Sequence, residues 1–246
     1  MVGRVIFALA IIALGIETWV FARVVEHPLG ATYNGIPVIP WLPAIPWLAY
    51  VGGAIWVGCG VGILLPRSMR MAAITLGVLY VLCSLIIVVP KNAANIGDVG
   101  LRTVVFEPLA IATLTWLMAG FLERASRYIL AVSLILFGVD HFIVLKFIAG
   151  LIPGWIPWHV FWSALFGVAF IASGVSIALK VLPRWGAAGM ALMFGTWVIT
   201  LHLPRVMGLY GIAGAPGNPN EWSSLLIAVA LWGGFWALAE RWKKAD

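Results

Sequence analysis

The chain has 246 residues, of which 63% are hydrophobic and only 10% charged, with a mean hydropathy of +1.06, against about 45–50% and 25% in soluble domains. That balance excludes a water-soluble globular domain and indicates a polytopic membrane protein whose first partner is the lipid bilayer. A formal net charge of +6 does not signal a nucleic-acid partner, because the basic residues stand singly or in small groups at the ends of apolar runs, as topology signals do.

Taken in chain order, the sequence predicts eight transmembrane helices: Val5–Ala22, Ile45–Leu65, Met71–Val89, Val104–Leu122, Tyr128–Leu145, Trp158–Leu179, Trp185–Leu203 and Trp222–Ala239. Each is close to the roughly 20 residues that a bilayer requires. The first follows Arg4, as a signal peptide would, but Glu17 interrupts its apolar run and no A-x-A cleavage site follows. It reads as a retained helix. Proline- and glycine-rich loops are expected at His27–Pro46, Lys91–Thr103, Ala149–Pro157 and Arg205–Glu221. In the first of these, Pro37, Pro40, Pro43 and Pro46 recur every third residue, which a helix does not tolerate. Glu123–Arg127 is a short join at mid-chain.

The two sides of that join read as copies. Trp41, Pro43, Gly53, Gly60, Pro90, Glu107 and Gly120 stand 114 positions before Trp155, Pro157, Gly167, Gly174, Pro204, Glu221 and Gly234. Upstream the register is 123, with Gly15 and Glu17 matching Gly138 and Asp140. Residues 1–124 and 125–246 are therefore expected to be two four-helix repeats. Four is even, so both copies enter the membrane from the same side as a parallel repeat.

Arg4, Arg67, Arg70, Arg124, Arg127, Lys180, Arg184, Arg241, Lys243 and Lys244 fall at one face, against Arg23, Lys91, Arg102, Lys146 and Arg205 at the other. By the positive-inside bias both termini are cytoplasmic, and a bacterial inner membrane is the expected location.

Polar residues inside apolar helices cost about 2.5–3.5 kcal/mol each at the bilayer centre, so they normally face the bundle interior and have partners. Glu17 and Asp140 are the clearest cases. Asp140 lies twelve residues beyond Tyr128, about 18 Å along a helix at 1.5 Å per residue and so in the outer half of the membrane. His141, His159, His202, Arg205 and Glu221 fall near the same depth. His141, His202, Glu221 and Asp140 are the candidate catalytic or proton-handling groups. Arg205, His159, Trp158 and Trp222 are the candidate ligand-binding groups.

The first copy keeps Glu17, Lys91 and Glu107 at matched positions but has no histidine there. Chemistry that needs a group titrating near neutrality therefore belongs to the second copy. The alternative reading is structural, with Glu17 and Asp140 each pairing with Lys91 or Arg205 in its own copy and fixing helix register.

Imidazole and carboxylate would suit zinc or iron, but the signal for a metal is weak, since no two candidate ligands share i, i+3 or i, i+4 spacing. Asp140 and His141 point about 100° apart, so only one of them faces any one centre. Cys59 and Cys83 are the only cysteines, form no C-x-x-C and fall at different depths, which argues against a disulfide-exchanging chain. No haem attachment site, P-loop or dinucleotide fingerprint is present.

The stretch Gly138-Val139-Asp140-His141-Phe142, followed by Ile152-Pro153-Gly154-Trp155-Ile156-Pro157-Trp158-His159 and then Trp162, Gly167 and Gly174, resembles the DoxX-like integral membrane proteins. Leu201-His202-Leu203-Pro204-Arg205 and Asn220-Glu221-Trp222 are similar to downstream segments of that family. The resemblance covers about Tyr128–Ala239 and is weaker over the first copy. It implies a four-helix unit, here duplicated, of a kind often linked to redox proteins, including a quinone-reducing thiosulfate oxidoreductase.

Two function classes follow. One is a membrane subunit or quinone-interacting partner within a redox protein complex, in which histidine and carboxylate handle protons. The other is a small transporter or binding protein, with a scaffold subunit as a third reading. Two separate pockets, one within each copy, favour the first; one shared central cavity favours the second.

Overall fold

The computed structural model describes residues 2–21, 46–85, 97–209 and 219–243, and among them there is helix and no strand. The helices are α1 (Val2–Phe21), α2 (Pro46–Leu64), α3 (Met69–Cys83), α4 (Val99–Ala119), α5 (Glu123–Ile143), α6 (Leu145–Leu151), α7 (His159–Leu179), α8 (Pro183–Trp197), α9 (Leu203–Val206) and α10 (Pro219–Trp242). A π-helical segment, Val198–His202, joins α8 to α9.

Six stretches are long and apolar enough to cross a membrane: Val2–Val20, Arg102–Ala119, Glu123–Ile143, His159–Leu179, Pro183–Val206 and Glu221–Trp242. Tyr50–Leu64 and Met69–Cys83 are shorter apolar helices, where the sequence predicts Ile45–Leu65 and Met71–Val89 as full spans. Residues 45 and 86–89 lie outside the described residues, as do the greater part of the loops at His27–Pro46 and Arg205–Glu221 and residues 91–96 of the Lys91–Thr103 loop. Several helices also run further than the apolar windows suggest. α4 starts at Val99 and so takes in Arg102, and α5 starts at Glu123 rather than Tyr128. Charged residues in a first turn end an apolar window without ending a helix.

Local chemistry accounts for the helix ends. At the end of α4, Gly120 adopts the left-handed region with φ +65°. The Gly120 N–H donates to Leu117 O and the Phe121 N–H to Trp116 O, which satisfies the last carbonyls in a Schellman arrangement. α8 opens with Pro183 at its first position, where the missing N–H costs nothing. The π segment has its own cause. Pro204 cannot donate, and its ring excludes the carbonyl four residues back, so the helix widens just before it and Leu203 N–H bonds to Val198 O.

The helices α1 and α2, α2 and α3, and α3 and α4 pack in succession, and α5, α7, α8 and α10 do likewise. α4 also packs against α5, and α10 against α1, with α4 and α10 in contact, so the two halves interlock along one continuous core.

Several contacts recur at the two sequence registers. A Cβ on Gly15 would meet Gly53 O at 2.7 Å, and one on Gly138 would meet Gly167 O at 2.6 Å. Gly60 lies against Ala8 O and Ile12, and Gly174 against Ala131 O and Ile135. Trp56 meets Tyr80 edge-on at 5.4 Å, and Phe170 meets Phe194 edge-on at 5.9 Å.

Candidate functional site

α5 ends at Ile143, and the chain bends at Val144 before resuming as α6. Ser163 Oγ of α7 donates to Leu145 O and ties this bend to the next helix. The bend turns α6 away from the α5 axis, so that Ile148, Leu151, Ile152 and Pro153 form one rim of a cavity of about 670 Å³. Its walls come from α7 and α8 and its end from the π segment. All of its lining residues fall between His141 and His202, within the second half of the chain. The volume lies in the range of about 300–1,000 Å³ typical of small-molecule sites.

The cavity is aromatic and aliphatic with few polar groups. Trp162, Phe166 and Trp197 line it, along with Leu165, Ala169, Leu192 and Met193. Trp197 is held edge-on by Phe166 at 5.4 Å and by Phe194 at 5.5 Å. Thr196 and Thr200 also line it, but their hydroxyls are turned back onto the helix and donate to Leu192 O and Thr196 O. Leu192, at 72% exposure, stands at the open side. The cavity thus opens beside Leu192, at the exposed surface of α8.

Two histidines supply the remaining polar groups. His141 Nδ1 lies 2.7 Å from Phe137 O, and the ring stacks on Trp197 at 5.8 Å with an interplanar angle of 11°. It also rests against Phe170 at 5.0 Å. His202 comes from the π segment. Widening of that segment puts residues five apart on one face, which brings Trp197 and His202 to the same cavity. His141 Nε2 and His202 Nδ1 are both buried with no hydrogen-bond partner in the protein. Buried polar atoms are normally paired. Both residues line the cavity, but these two nitrogens are buried within the protein rather than open to it.

The other candidate residues lie elsewhere. Asp140 turns away from the cavity and pairs with Arg102 of α4, which approaches its carboxylate through both Nη2 and Nε. Glu17, at the matched position, accepts from Ser223 Oγ of α10 at 3.2 Å. Both carboxylates thus reach into the other half. The expected Asp140–Arg205 pairing does not form, because Arg205 makes a two-point ion pair with Glu221, at 2.7 Å through Nε and 2.6 Å through Nη2. That pair stands outside the cavity lining, although His202 precedes Arg205 by only three residues.

His159 and Trp158 line a separate open depression at the start of α7 with Gly154, Ile156, Pro157, Val160 and Phe161. Trp222 lies partly exposed in the first turn of α10, and Glu107 is half-buried within α4. Lys91 lies outside the described residues. No family model, characterised protein or solved structure matches the chain. The cavity is therefore the feature from which function is read. Among the described residues no three His, Cys, Asp or Glu side chains gather as a metal site, and Cys59 and Cys83 are both free.

Arg102 and the cavity walls are the residues that sequence reasoning missed. By sequence Arg102 reads as a topology charge; the one signal that points to it is that a buried Asp140 requires a base. The first half shows what the histidines add. Thr18, at the position of His141, donates to Leu14 O at 2.9 Å, the same backbone bond that His141 makes to Phe137 O. Threonine meets the local helix requirement, but it has no second ring nitrogen to offer.

Proposed function

We propose that this chain is a DoxX-like integral membrane protein that serves a redox system as its quinone-interacting membrane subunit. The observation that carries the reading is the aromatic, largely apolar cavity lined by the imidazoles of His141 and His202. An isoprenoid quinone is an apolar molecule that arrives through the bilayer, with a ring for Trp197 and Phe166 to hold and two oxygens for the histidines to meet. Bound there, it would supply two-electron, two-proton carrier chemistry. The chain's own part is to orient the ring, exclude water with the α7 and α8 walls, and receive or give protons at the two imidazoles.

The wider architecture belongs to the same proposal: eight spans in two parallel four-helix repeats, residues 1–124 and 125–246, with both termini cytoplasmic in a bacterial inner membrane. The recurrent glycine crossings and the Trp56–Tyr80 and Phe170–Phe194 contacts support the repeat. Transport through a site between the repeats has less support, because Asp140 and Glu17, which face the opposite half, are already engaged by Arg102 and Ser223.

Purification from native membranes, with quinone extracted and quantified, tests the reading. Wild-type protein should carry quinone at near-stoichiometric level. Ala169→Trp, which fills the cavity from α7, should carry less than about a tenth of that, given the cost of overpacking a ligand site. Absence of quinone from the wild type, or full retention by Ala169→Trp, would overturn the proposal.

A further inference from the structure

We infer that the basic end of the bundle carries two binding sites for anionic phospholipid, one in each half, each built on two arginines that flank the end of a helix at one depth. The first pair is Arg4 of α1 with Arg70 of α3, beside Leu64 of α2. The second is Arg127 of α5 with Arg184 of α8, beside Ala178 of α7.

The helix contacts fix these levels. A Cβ on Gly60 would meet Ala8 O at 2.9 Å, and one on Gly62 would meet Ala72 Cβ at 2.7 Å. Leu64 lies four residues beyond Gly60 and two beyond Gly62, while Arg4 lies four before Ala8 and Arg70 two before Ala72. α1 and α3 run antiparallel to α2, so both arginines arrive at the level of Leu64. The second half repeats the count. A Cβ on Gly174 would meet Ala131 O at 2.8 Å, and one on Gly186 would meet Ser176 Oγ at 2.9 Å, which carries Arg127 and Arg184 to the level of Ala178. Arg127 stands 123 positions after Arg4 and Arg184 stands 114 after Arg70, the same two registers as the glycine crossings.

These arginines lack a carboxylate. Of the basic residues at this end, only Arg241 makes an ion pair among the described residues, with Glu123, and Glu240 accepts from the Val2 N–H. Arg4, Arg70 and Arg184 stand in the first turns of their helices, where the helix dipole is already positive. Arg4 and Arg127 each bury Nε while the residue as a whole is only partly buried, so a packed stem turns the rest of the guanidinium outward. Arg127 and Arg184 lie over the rings of Tyr128 and Trp185, at 4.9 Å and 5.2 Å, which holds the cations without neutralising them. A charge that serves topology alone needs only to stay in the headgroup layer; it requires neither matched depth nor a packed stem. Fixed guanidinium forks without an anion are matched by phosphate oxygens.

Exposed apolar side chains beside each pair make the occupant a lipid rather than a free anion. Leu65 and Met71 are exposed next to the first pair, and Leu179 and Trp185 next to the second. A phospholipid places its phosphate at the arginines and lays its acyl chains along that apolar surface, and basic clusters at the ends of membrane helices draw anionic lipids in this way.

The experiment is a native mass spectrometry titration of the delipidated full-length protein in detergent. The probes are dioleoylphosphatidylglycerol, dioleoylphosphatidylcholine and sn-glycerol 3-phosphate. Phosphatidylglycerol should fill two sites and bind about thirtyfold more tightly than phosphatidylcholine, the product of a factor of about five for each of two cations at a membrane surface. Glycerol phosphate should not displace it. Arg127→Gln with Arg184→Gln should remove one site, and Arg4→Gln with Arg70→Gln the other. Arg67→Gln with Arg124→Gln takes the same charge from the same end, outside both pairs, and should leave two sites.

Equal binding of the two lipids would overturn the inference, and displacement by glycerol phosphate would replace the lipid with a soluble phosphate ester. Both comparisons use the unaltered chain and stand even where a variant fails to fold. Loss of sites in Arg67→Gln with Arg124→Gln equal to that in either pair, or retention of both sites with all four paired arginines replaced, would also overturn it.

Discussion

Asp140 and His141 are neighbours in sequence with separate tasks, because successive helical residues point about 100° apart. One carboxylate is spent on Arg102 in the opposite half, and the imidazole beside it lines the cavity. Their substitutions should therefore fail differently. Asp140→Ala leaves the Arg102 guanidinium, only 18% exposed, without its partner, and breaking such a pair costs about 3–5 kcal/mol. The detergent-solubilised protein should melt well below the wild type, and the double variant Asp140→Leu with Arg102→Met should regain most of the loss. A double variant no more stable than Asp140→Ala would mean that the pair is not the source of the effect. His202→Ala removes a side chain whose Nδ1 makes no protein hydrogen bond, so it should leave melting nearly unchanged while weakening quinone retention.

At the scale of elements, the two glycine crossings set how closely α1 meets α2 and α5 meets α7. At Gly15 and Gly138 an added Cβ would come within 2.7 Å and 2.6 Å of a backbone oxygen, so a methyl group forces two helices apart. Gly15→Ala and Gly138→Ala should each destabilise by about 1–3 kcal/mol, as overpacking does. Gly58 of α2 is the control, since its Cβ would meet nothing within 4 Å. Gly58→Ala should be neutral or should stabilise by up to about 1 kcal/mol through helix propensity. Equal effects at all three positions, read from thermal melts, would refute close helix approach as the reason for these glycines.

These elements also mark what was legible in the sequence. The all-helical class and the recurrence of Gly15 and Gly53 as Gly138 and Gly167 could be read there, because mean hydropathy and recurring spacing are sequence properties. Pro204 marked the disturbed segment that carries His202. The partner of Asp140 could not be read, because several bases fall at similar depth and only packing chooses Arg102 among them. The Trp197, Phe166 and Thr196 walls were equally hidden, since a helix apolar all round does not reveal which face meets a cavity. Arg205 and Glu221 pair with each other outside the cavity lining, an arrangement that depth alone does not reveal.

For the whole molecule, the interlocking of α4 with α5 and of α10 with α1 means that neither half is expected to assemble normally without the other. Orientation in the bilayer is a separate matter and follows from charge. The basic residues favour the end of the bundle that holds the α4–α5 junction and the last turn of α10, where Arg241 pairs with Glu123 and donates to Leu117 O. The opposite end holds the α6–α7 turn. Ala125 and Gly154 are both exposed and lie on either side of the span formed by α5. With Cys59 and Cys83 replaced by alanine, Gly154→Cys should react with a membrane-impermeant maleimide added to spheroplasts. Ala125→Cys should react only after lysis. The reverse pattern would invert the molecule and place the cavity's histidine end toward the cytoplasm, so that protons released there would leave on the opposite side. Labelling of both positions from the same side would remove α5 as a crossing helix, and the even-numbered parallel architecture with it.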